Sequence, residues 1–395
     1  MPLAFFRRTE NELLPTKADE EHLGELTFTV HKLNHRPKPK QKNRIKIISC
    51  FAEFGCETVG SMYCIPRIIK RYPGAYIIVI GWYGRKYLYQ HLVDEFWEMK
   101  EEHMWLRDYA RAFHNVSYNL QKLEEAATQY GEVIPGSAFG KYAVCNMCRT
   151  CGKFWHEWRK QYEECPACHS TLLVKSIFTD VWHNKKQAKM IPRPSGELQE
   201  WAKGLIKKPA VGIFARNRKT YGRNLPPEFY VRLIANLESQ GYSVIWLGEK
   251  QCTLPCPVPH VLDFSRMPES RELERTLAII CNLEFTIQFW TASSRLAGMM
   301  GTPFLLFESP EQIYVSLSGI MGAQEGKRLE LTSFGPKKVV LAHYMNVMTQ
   351  PDKALELVDR AIGEMREGNY EEILGMVEDE QFAAQLQHEH REMLT

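Results

Sequence analysis

Five of the eleven cysteines fall within one segment, CNMCRTCGKFWHEWRKQYEECPACHS, at spacings that suit a metal ion. Cys148-x2-Cys151 and Cys165-x2-Cys168, with thirteen residues between the pairs, form two knuckles. Two such pairs bring four thiolates to one tetrahedral Zn²⁺, and with no position left open for water the site is structural rather than catalytic. Gly152 suits the tight turn of a knuckle. Cys145 is an alternative ligand, and His156 and His169 are weaker rivals. The odd cysteine total, in a long chain whose start MPLAFFRRTENELLP is no secretory signal, argues for thiols and metal rather than disulfides.

A second kind of chemistry gathers in the later half of the chain, where four features follow apolar runs. Phe214-Ala215-Arg216-Asn217-Arg218-Lys219-Thr220-Tyr221-Gly222-Arg223 crowds four cations after a strand-like run. A guanidinium there can hold a diphosphate bidentately and neutralise a leaving group. In Trp246-Leu247-Gly248-Glu249 the backbone at Gly248 can approach a nucleoside, and Glu249 can accept from hydroxyls. Thr291, Ser293 and Ser294, followed by Arg295, can cap a helix whose free N–H groups bind phosphate. Glu308, in Phe307-Glu308-Ser309-Pro310, places a carboxylate after the next run. Bland alternatives are an exposed basic loop, a plain strand exit and an ordinary capped helix.

These residues need a scaffold, and the apolar pattern supplies one. Ile45–Cys50 and Tyr76–Ile80 read as buried strands flanking a helix through Ile65, Ile68 and Ile69, which makes a βαβ unit with parallel strands. Residues 86–130 read as mostly helical, and Ile177–Trp182 as a return to the sheet. Past 190 the rhythm restarts: strand Val211–Ala215, helix Pro227–Gln240 stopped by Gly241, strand Ser243–Leu247, helix Glu269–Cys281, strand Phe285–Phe289, helix Ser293–Met300 and strand Phe304–Phe307. The expected organisation is α/β: a basic polar leader over 1–44, a first Rossmann-like domain over 45–190 with a zinc ribbon at 142–172, a linker at 191–208, a second Rossmann-like domain over 209–350, and C-terminal helices over 351–395. In such doubly wound sheets ligands lie outside the carboxyl ends of the strands.

The stretch GRNLPPEFYVRLIANLESQGYSVIWLGE with TASSRLAGMMGTPFLLFE resembles the donor half of GT-B glycosyltransferases, most closely the heptosyltransferase-like family. Thr291, Ser294, Leu296, Ala297, Gly301, Thr302 and Pro303 match that family's Thr-x-x-Ser-x-Leu-Ala-x-x-x-Gly-Thr-Pro block. The Phe-Ala-Arg-Asn-Arg-Lys loop is also similar to the His-x-Arg-Arg loop of fucosyltransferases of the GDP-fucose class, which makes Arg216 the diphosphate ligand. Residues 52–57 and 65–73 are similar to the family's Gly-Asp loop, helix and Lys/Arg-x-x-Pro exit. The resemblance covers about residues 45–100 and 209–310. It implies two Rossmann-like domains facing a cleft and inverting transfer from a nucleoside-diphosphate sugar to an acceptor hydroxyl. Trp290 stands where the family has Asp, Arg295 where it has His, and Glu53 or Glu57 where its catalytic Asp lies. Glu53 is the first choice of base and Glu57 the second, while Arg216, Arg218, Lys219, Arg223, Arg295 and the amides near Ser293 face the leaving diphosphate.

Composition bounds the remaining possibilities. With 50 Lys+Arg against 47 Asp+Glu there is no whole-protein field for a polyanion, so any such partner must meet a local patch. No run reaches the ~18 apolar residues of a membrane span, which together with the cysteines suggests the cytoplasm. No Asp-x-Asp motif calls for Mg²⁺. The ribbon's Arg149, Lys153, Arg159 and Lys160 beside Phe154, Trp155 and Trp158 suggest a rival, a nucleic-acid acceptor, although Glu157, Glu163 and Glu164 dilute that charge. A non-catalytic binding protein on a transferase scaffold is the third reading.

Overall fold

The computed structural model describes residues 28–51, 57, 62–103, 124–134, 146–148, 150–151, 154–155, 163–174, 191–207, 209–217, 224–289, 292–308, 338–342, 351–368 and 373–374. The chain divides into two compact units, Met1–Trp182 and His183–Thr395. Among the described residues no helix is long and apolar enough to cross a membrane.

The first unit opens with strand β1 (Phe28–Lys32), followed by β2 (Ile45–Cys50), helix α1 (Met62–Arg71), β3 (Tyr76–Gly81), the short helix α2 (Lys86–Tyr89), β4 (Glu95–Met99) and β5 (Glu132–Ile134). The sheet order is β1-β4-β3-β2-β5, parallel except for β1 against β4. β2 and β3 are buried along their whole length, as expected of central parallel strands covered on both faces. Two expectations are corrected here. Residues 28–44 of the expected leader are part of the fold, because β1 adds an edge strand and Asp94 secures the chain that follows it; residues 1–27 lie outside the described residues. Asp94 accepts from Arg36 Nε at 2.7 Å and from Ile77 N at 2.9 Å, and its carbonyl accepts from Leu33 and Asn34. Residues 86–130 are not one helical stretch, since β4 (Glu95–Met99) interrupts it near its start; residues 104–123 lie outside the described residues. The glutamates of β4 are hydrogen-bonded, Glu95 by Tyr76 and Trp97, and Glu98 by Gly84 N and His31.

A separate small antiparallel sheet, β7-β6-β8, combines β6 (Asn146–Cys148), β7 (Phe154–Trp155) and β8 (Leu173–Val174). The strand expected at Ile177–Trp182 lies outside the described residues.

The second unit begins earlier than the expected linker. Within 191–208 lies helix α3 (Gly196–Leu205), capped by Ser195, whose hydroxyl accepts from Leu198 N. Its Trp201 lies 6.2 Å from Phe264, with the Arg275 guanidinium 4.8 Å over the indole, so this segment is docked rather than linking. Next come β9 (Ala210–Phe214), α4 (Pro227–Ser239), β10 (Ser243–Leu247), β11 (Leu262–Asp263), α5 (Leu273–Ile280), β12 (Phe285–Phe289), α6 (Ala292–Met300), β13 (Phe304–Glu308), β14 (Lys338–Ala342), α7 (Pro351–Glu367) and β15 (Ile373–Leu374). The start of the expected helix Glu269–Cys281 is a separate 3₁₀ turn, Pro268–Arg271. The C-terminal region is not wholly helical, because β15 pairs with β14 after α7.

All seven strands run parallel in the order β11-β10-β9-β12-β13-β14-β15. On one face, Phe229, Leu233 and Leu237 of α4 and Val358, Ala361 and Ile362 of α7 pack with Ile213, Trp246, Ile287 and Phe307 of the sheet. Each large apolar side chain buried this way contributes about 1.5–3 kcal/mol, and together they fix the strand ends that carry the polar residues.

Candidate active site and metal centre

Each sheet has one switch point, where the chain turns from building one side to building the other. In the second unit β9 is followed by β10 on one side, and β12 later takes its other side. The crevice outside the carboxyl ends of β9 and β12 is where such sheets bind ligands. The residues leaving β9 are Ala215, Arg216 and Asn217, and the segment leaving β12 enters α6 at Ala292. Arg216 and the start of α6 at Ala292, seventy-six residues apart in sequence, thus follow neighbouring strands.

Arg216 is buried and held in place from the backbone. It forms a β-bridge with Thr253, flanked by Asn217 N to Cys252 O at 2.8 Å and Leu254 N to Ala215 O at 3.0 Å. Gly248 makes that closure possible. Its φ is +132°, and a Cβ there would stand 2.1 Å from Thr253 Oγ1. Glu249 follows, half-buried, with its carbonyl accepting from Cys252 N. Gly248 therefore lets the 249–254 loop fold back on the Arg216 strand exit, which is a more specific role than an open approach to a nucleoside.

Helix α6 starts at Ala292, so Ser293 and Ser294 occupy its first turn, where amide N–H groups lack intrahelical acceptors. The side chains of Ser293, Ser294, Arg295 and Glu308, and the whole of Arg218, Lys219, Arg223 and Thr291, lie outside the described residues. The Gly-Thr-Pro end of the block is structural. Gly301 turns the chain at φ +76°, Thr302 N returns to Ala297 O at 3.0 Å, and Thr302 Oγ1 donates to Ile280 O at 2.8 Å. One residue escaped the sequence reading. Gln288, the polar residue in Phe-Thr-Ile-Gln-Phe, is 1% exposed, and neither amide atom has a hydrogen-bond partner among the described residues. It lies beside Phe214 and Leu306 near the same strand ends.

In the first unit the switch point lies between β2 and β5, and both candidate bases follow the carboxyl end of β2 in sequence. Glu53 lies outside the described residues. Glu57 is wholly buried: Tyr89 donates its phenol to Oε1 at 2.5 Å, and Arg85 Nε stands 3.4 Å from Oε2. Burial first, then the neighbouring Cys50 and Glu57, push the Tyr89 phenol well above its ordinary range, so it stays protonated and donating. Arg85 and Tyr89 were not foreseen as partners of Glu57, which lies some thirty residues away.

The four sulfurs of Cys148, Cys151, Cys165 and Cys168 lie within 4.8 Å of one another, with Cys148–Cys168 at 3.5 Å and Cys151–Cys165 at 3.6 Å. A tetrahedron with Zn–S bonds of ~2.3 Å has edges of roughly 3.8 Å, so the cage fits that ion. Ala167 N and Cys168 N point at Cys165 Sγ at 3.4 and 3.3 Å. Burial pushes the Cys148 thiol up, but hydrogen bonds from the Cys151 backbone, the Cys168 side chain and the Thr150 backbone hold it at about 6. For Cys168 the Ser170 backbone lowers the value, while burial and the sulfurs of Cys165, Cys148 and Cys151 outweigh it and raise the thiol to about 12. Four thiolates in one cage need a cation to ionise together. His169, at 3.3 Å from Glu164, is not in the cluster. Cys145, His156, Arg149, Lys153, Trp158, Arg159 and Lys160 lie outside the described residues.

No protein-family model and no curated protein matches the sequence. Among solved structures, an ADP-heptose LPS heptosyltransferase II from E. coli is 11% identical at a TM-score of 0.47, covering 82% of this chain and 99% of its own. A glycosyl transferase of family 9 from Veillonella parvula DSM 2008 is 11% identical at 0.45, covering 85% and 98%. The E. coli heptosyltransferase WaaC, with ADP-2-deoxy-2-fluoro heptose, is 12% identical at 0.41, covering 80% and 99%. Heptosyltransferases are the proteins that the 291–303 block resembles.

Proposed function

We propose that the chain is a glycosyltransferase that moves a sugar from a nucleoside diphosphate to an acceptor hydroxyl, without a metal at the reacting centre. The observation that carries this reading is the switch point of the second unit, where a buried arginine and the start of a helix follow adjacent strands. As the glycosidic bond breaks, negative charge grows on the diphosphate. Arg216 and the first-turn amides of α6 are donors suited to that charge, with the Arg218, Lys219, Arg223 and Arg295 cations close by in sequence.

Glu53 is the base that takes the acceptor's proton. Glu57 anchors the loop instead, because a carboxylate enclosed by Tyr89 and Arg85 with no exposed surface is not within reach of an acceptor hydroxyl. The four cysteines hold Zn²⁺ as a structural clamp on the small sheet. When bound, the ion supplies the charge that lets all four thiols ionise and fixes the two knuckles.

A thermal-shift series against ADP, GDP and UDP and their sugars tests the reading. One of them should raise the melting temperature in proportion to its affinity, and Arg216→Ala should remove the shift. Absence of any shift, or a shift indifferent to Arg216→Ala, would defeat the proposal.

A further inference from the structure

The far end of the first sheet carries a second site. At the amino ends of β2 and β3, where α1 turns into β3, lies a cavity of about 350 Å³ lined by Asn43, Arg44, Lys46, Arg71 and Tyr72 and closed by the turn at Gly74. Lys46 and Cys50 lie four residues apart on β2, so this cavity stands roughly 13 Å along the strand from the end that feeds the Glu53 loop.

Lys46 is the second residue of Ile-Lys-Ile-Ile-Ser-Cys, a central strand buried throughout. Parallel strands covered on both faces are ordinarily apolar, and a buried ammonium is costly to desolvate. Its side chain is 7% exposed, its Nζ pairs with Glu132 from β5, and it sits 4.4 Å from the centre of the Tyr72 ring. One carboxylate thus answers one of the three cations around the cavity. Arg44 and Arg71 make no ion pair among the described residues, and exposed Lys40, Lys42 and Lys70 stand beside them in sequence. Arg71 and Lys70 complement the carboxyl end of α1. That accounts for neither Arg44 nor the buried Lys46. A concave surface lined by one sign of charge concentrates counter-ions, and the cavity lies at the small end of the size range of small-molecule sites.

We propose that this cavity binds a phosphate or diphosphate group, held by the Arg44 and Arg71 guanidinium forks with Lys46 at its base, at a site separate from the donor site of the second unit. Guanidinium matches phosphate oxygens bidentately, and the Lys46–Glu132 pair keeps the buried ammonium charged and oriented. The group belongs either to a soluble phosphate ester or to a lipid headgroup.

Calorimetric titration of the full-length, zinc-loaded chain with inorganic pyrophosphate tests this, in an Arg216→Ala background so that the proposed donor site does not dominate the signal. Saturable binding is expected, weakened at least ~tenfold by Arg44→Ala with Arg71→Ala. Both positions are exposed, so the fold should survive, and an unchanged melting temperature verifies it. Sedimentation with phosphatidic acid vesicles, against phosphatidylcholine vesicles, is the second arm. Vesicle binding lost in the double variant assigns a lipid headgroup, whereas pyrophosphate binding without vesicle binding assigns a soluble ester. If neither probe binds, or if binding is indifferent to the double substitution, the site does not exist. The outcome is independent of whether the nucleotide screen succeeds.

Discussion

Replacing Gly248 by alanine puts the architecture of the donor site to a quantitative test. The added Cβ would lie 2.1 Å from Thr253 Oγ1 and 3.2 Å from Thr253 Cβ, at a backbone φ of +132°. Two costs follow. An L-residue held in that region pays about 1–3 kcal/mol in backbone strain. The overlap pays in addition, because Thr253 is 5% exposed and bridged to Arg216, so it cannot move aside without moving the bridge. A total of about 2–4 kcal/mol lowers the melting temperature by roughly 5–15 °C for a unit of this size. Thr253→Ala deletes Oγ1, so the double variant should recover the steric part and keep the strain. The coupling, read from urea unfolding followed by tryptophan fluorescence, should be at least ~1 kcal/mol in the favourable direction. Nucleoside diphosphate affinity should follow the same pattern, falling in Gly248→Ala and partly returning in the double variant, because the displaced Thr253 carries the Arg216 exit with it. A Gly248→Ala protein with unchanged stability, or strictly additive substitutions, would refute the account of this turn.

Three further outcomes are expected. Purified chain should carry one zinc ion by mass spectrometric metal analysis, and Cys165→Ser should reduce this to none, because a three-thiolate cage loses its closed tetrahedron. Acidification should release the metal, since protons compete with it for the thiolates, and a colorimetric zinc chelator reports the release. Asp94→Ala removes the acceptor of both Arg36 and Ile77 N, costing about 3 kcal/mol, and should speed tryptic cleavage after Lys32 and Lys40, the bonds of this segment not followed by proline. Tyr89→Phe keeps the ring packing but withdraws the hydrogen bond to Glu57, so stability should fall by about 1.5–3 kcal/mol, with faster proteolysis of the 52–61 loop.

How far the sequence reveals this molecule depends on whether the information is local. Apolar runs such as Ser243–Leu247 and Phe285–Phe289 lie where their pattern puts them, because a strand covered on both faces must be apolar wherever it sits in the sheet. The four-cysteine cluster was legible for the same reason, since each knuckle is fixed by residues three apart. β4 was not. Glu-Phe-Trp-Glu-Met carries two carboxylates whose hydrogen-bond partners include His31, sixty-seven residues away, and Tyr76, which the local pattern does not reveal. The leader was missed by the same mechanism in reverse, its cations read as solvated because Asp94 and Glu95 could not be seen opposite Arg36 and Lys38.

The two candidate bases show where this matters most for function. Glu53 and Glu57 are interchangeable as letters on one loop, and what separates them is Tyr89, thirty-two residues further on. A carboxylate pinned by a phenol and a guanidinium is worth more as an anchor than as a base, because enclosure denies it a substrate. Lys46, at the opposite end of β2, follows the same rule, its ammonium held by Glu132, eighty-six residues away, and by the Tyr72 ring. In both places a charge inside an apolar frame acquires its meaning from partners distant in sequence, Tyr89 and Arg85 for Glu57, Glu132 and Tyr72 for Lys46.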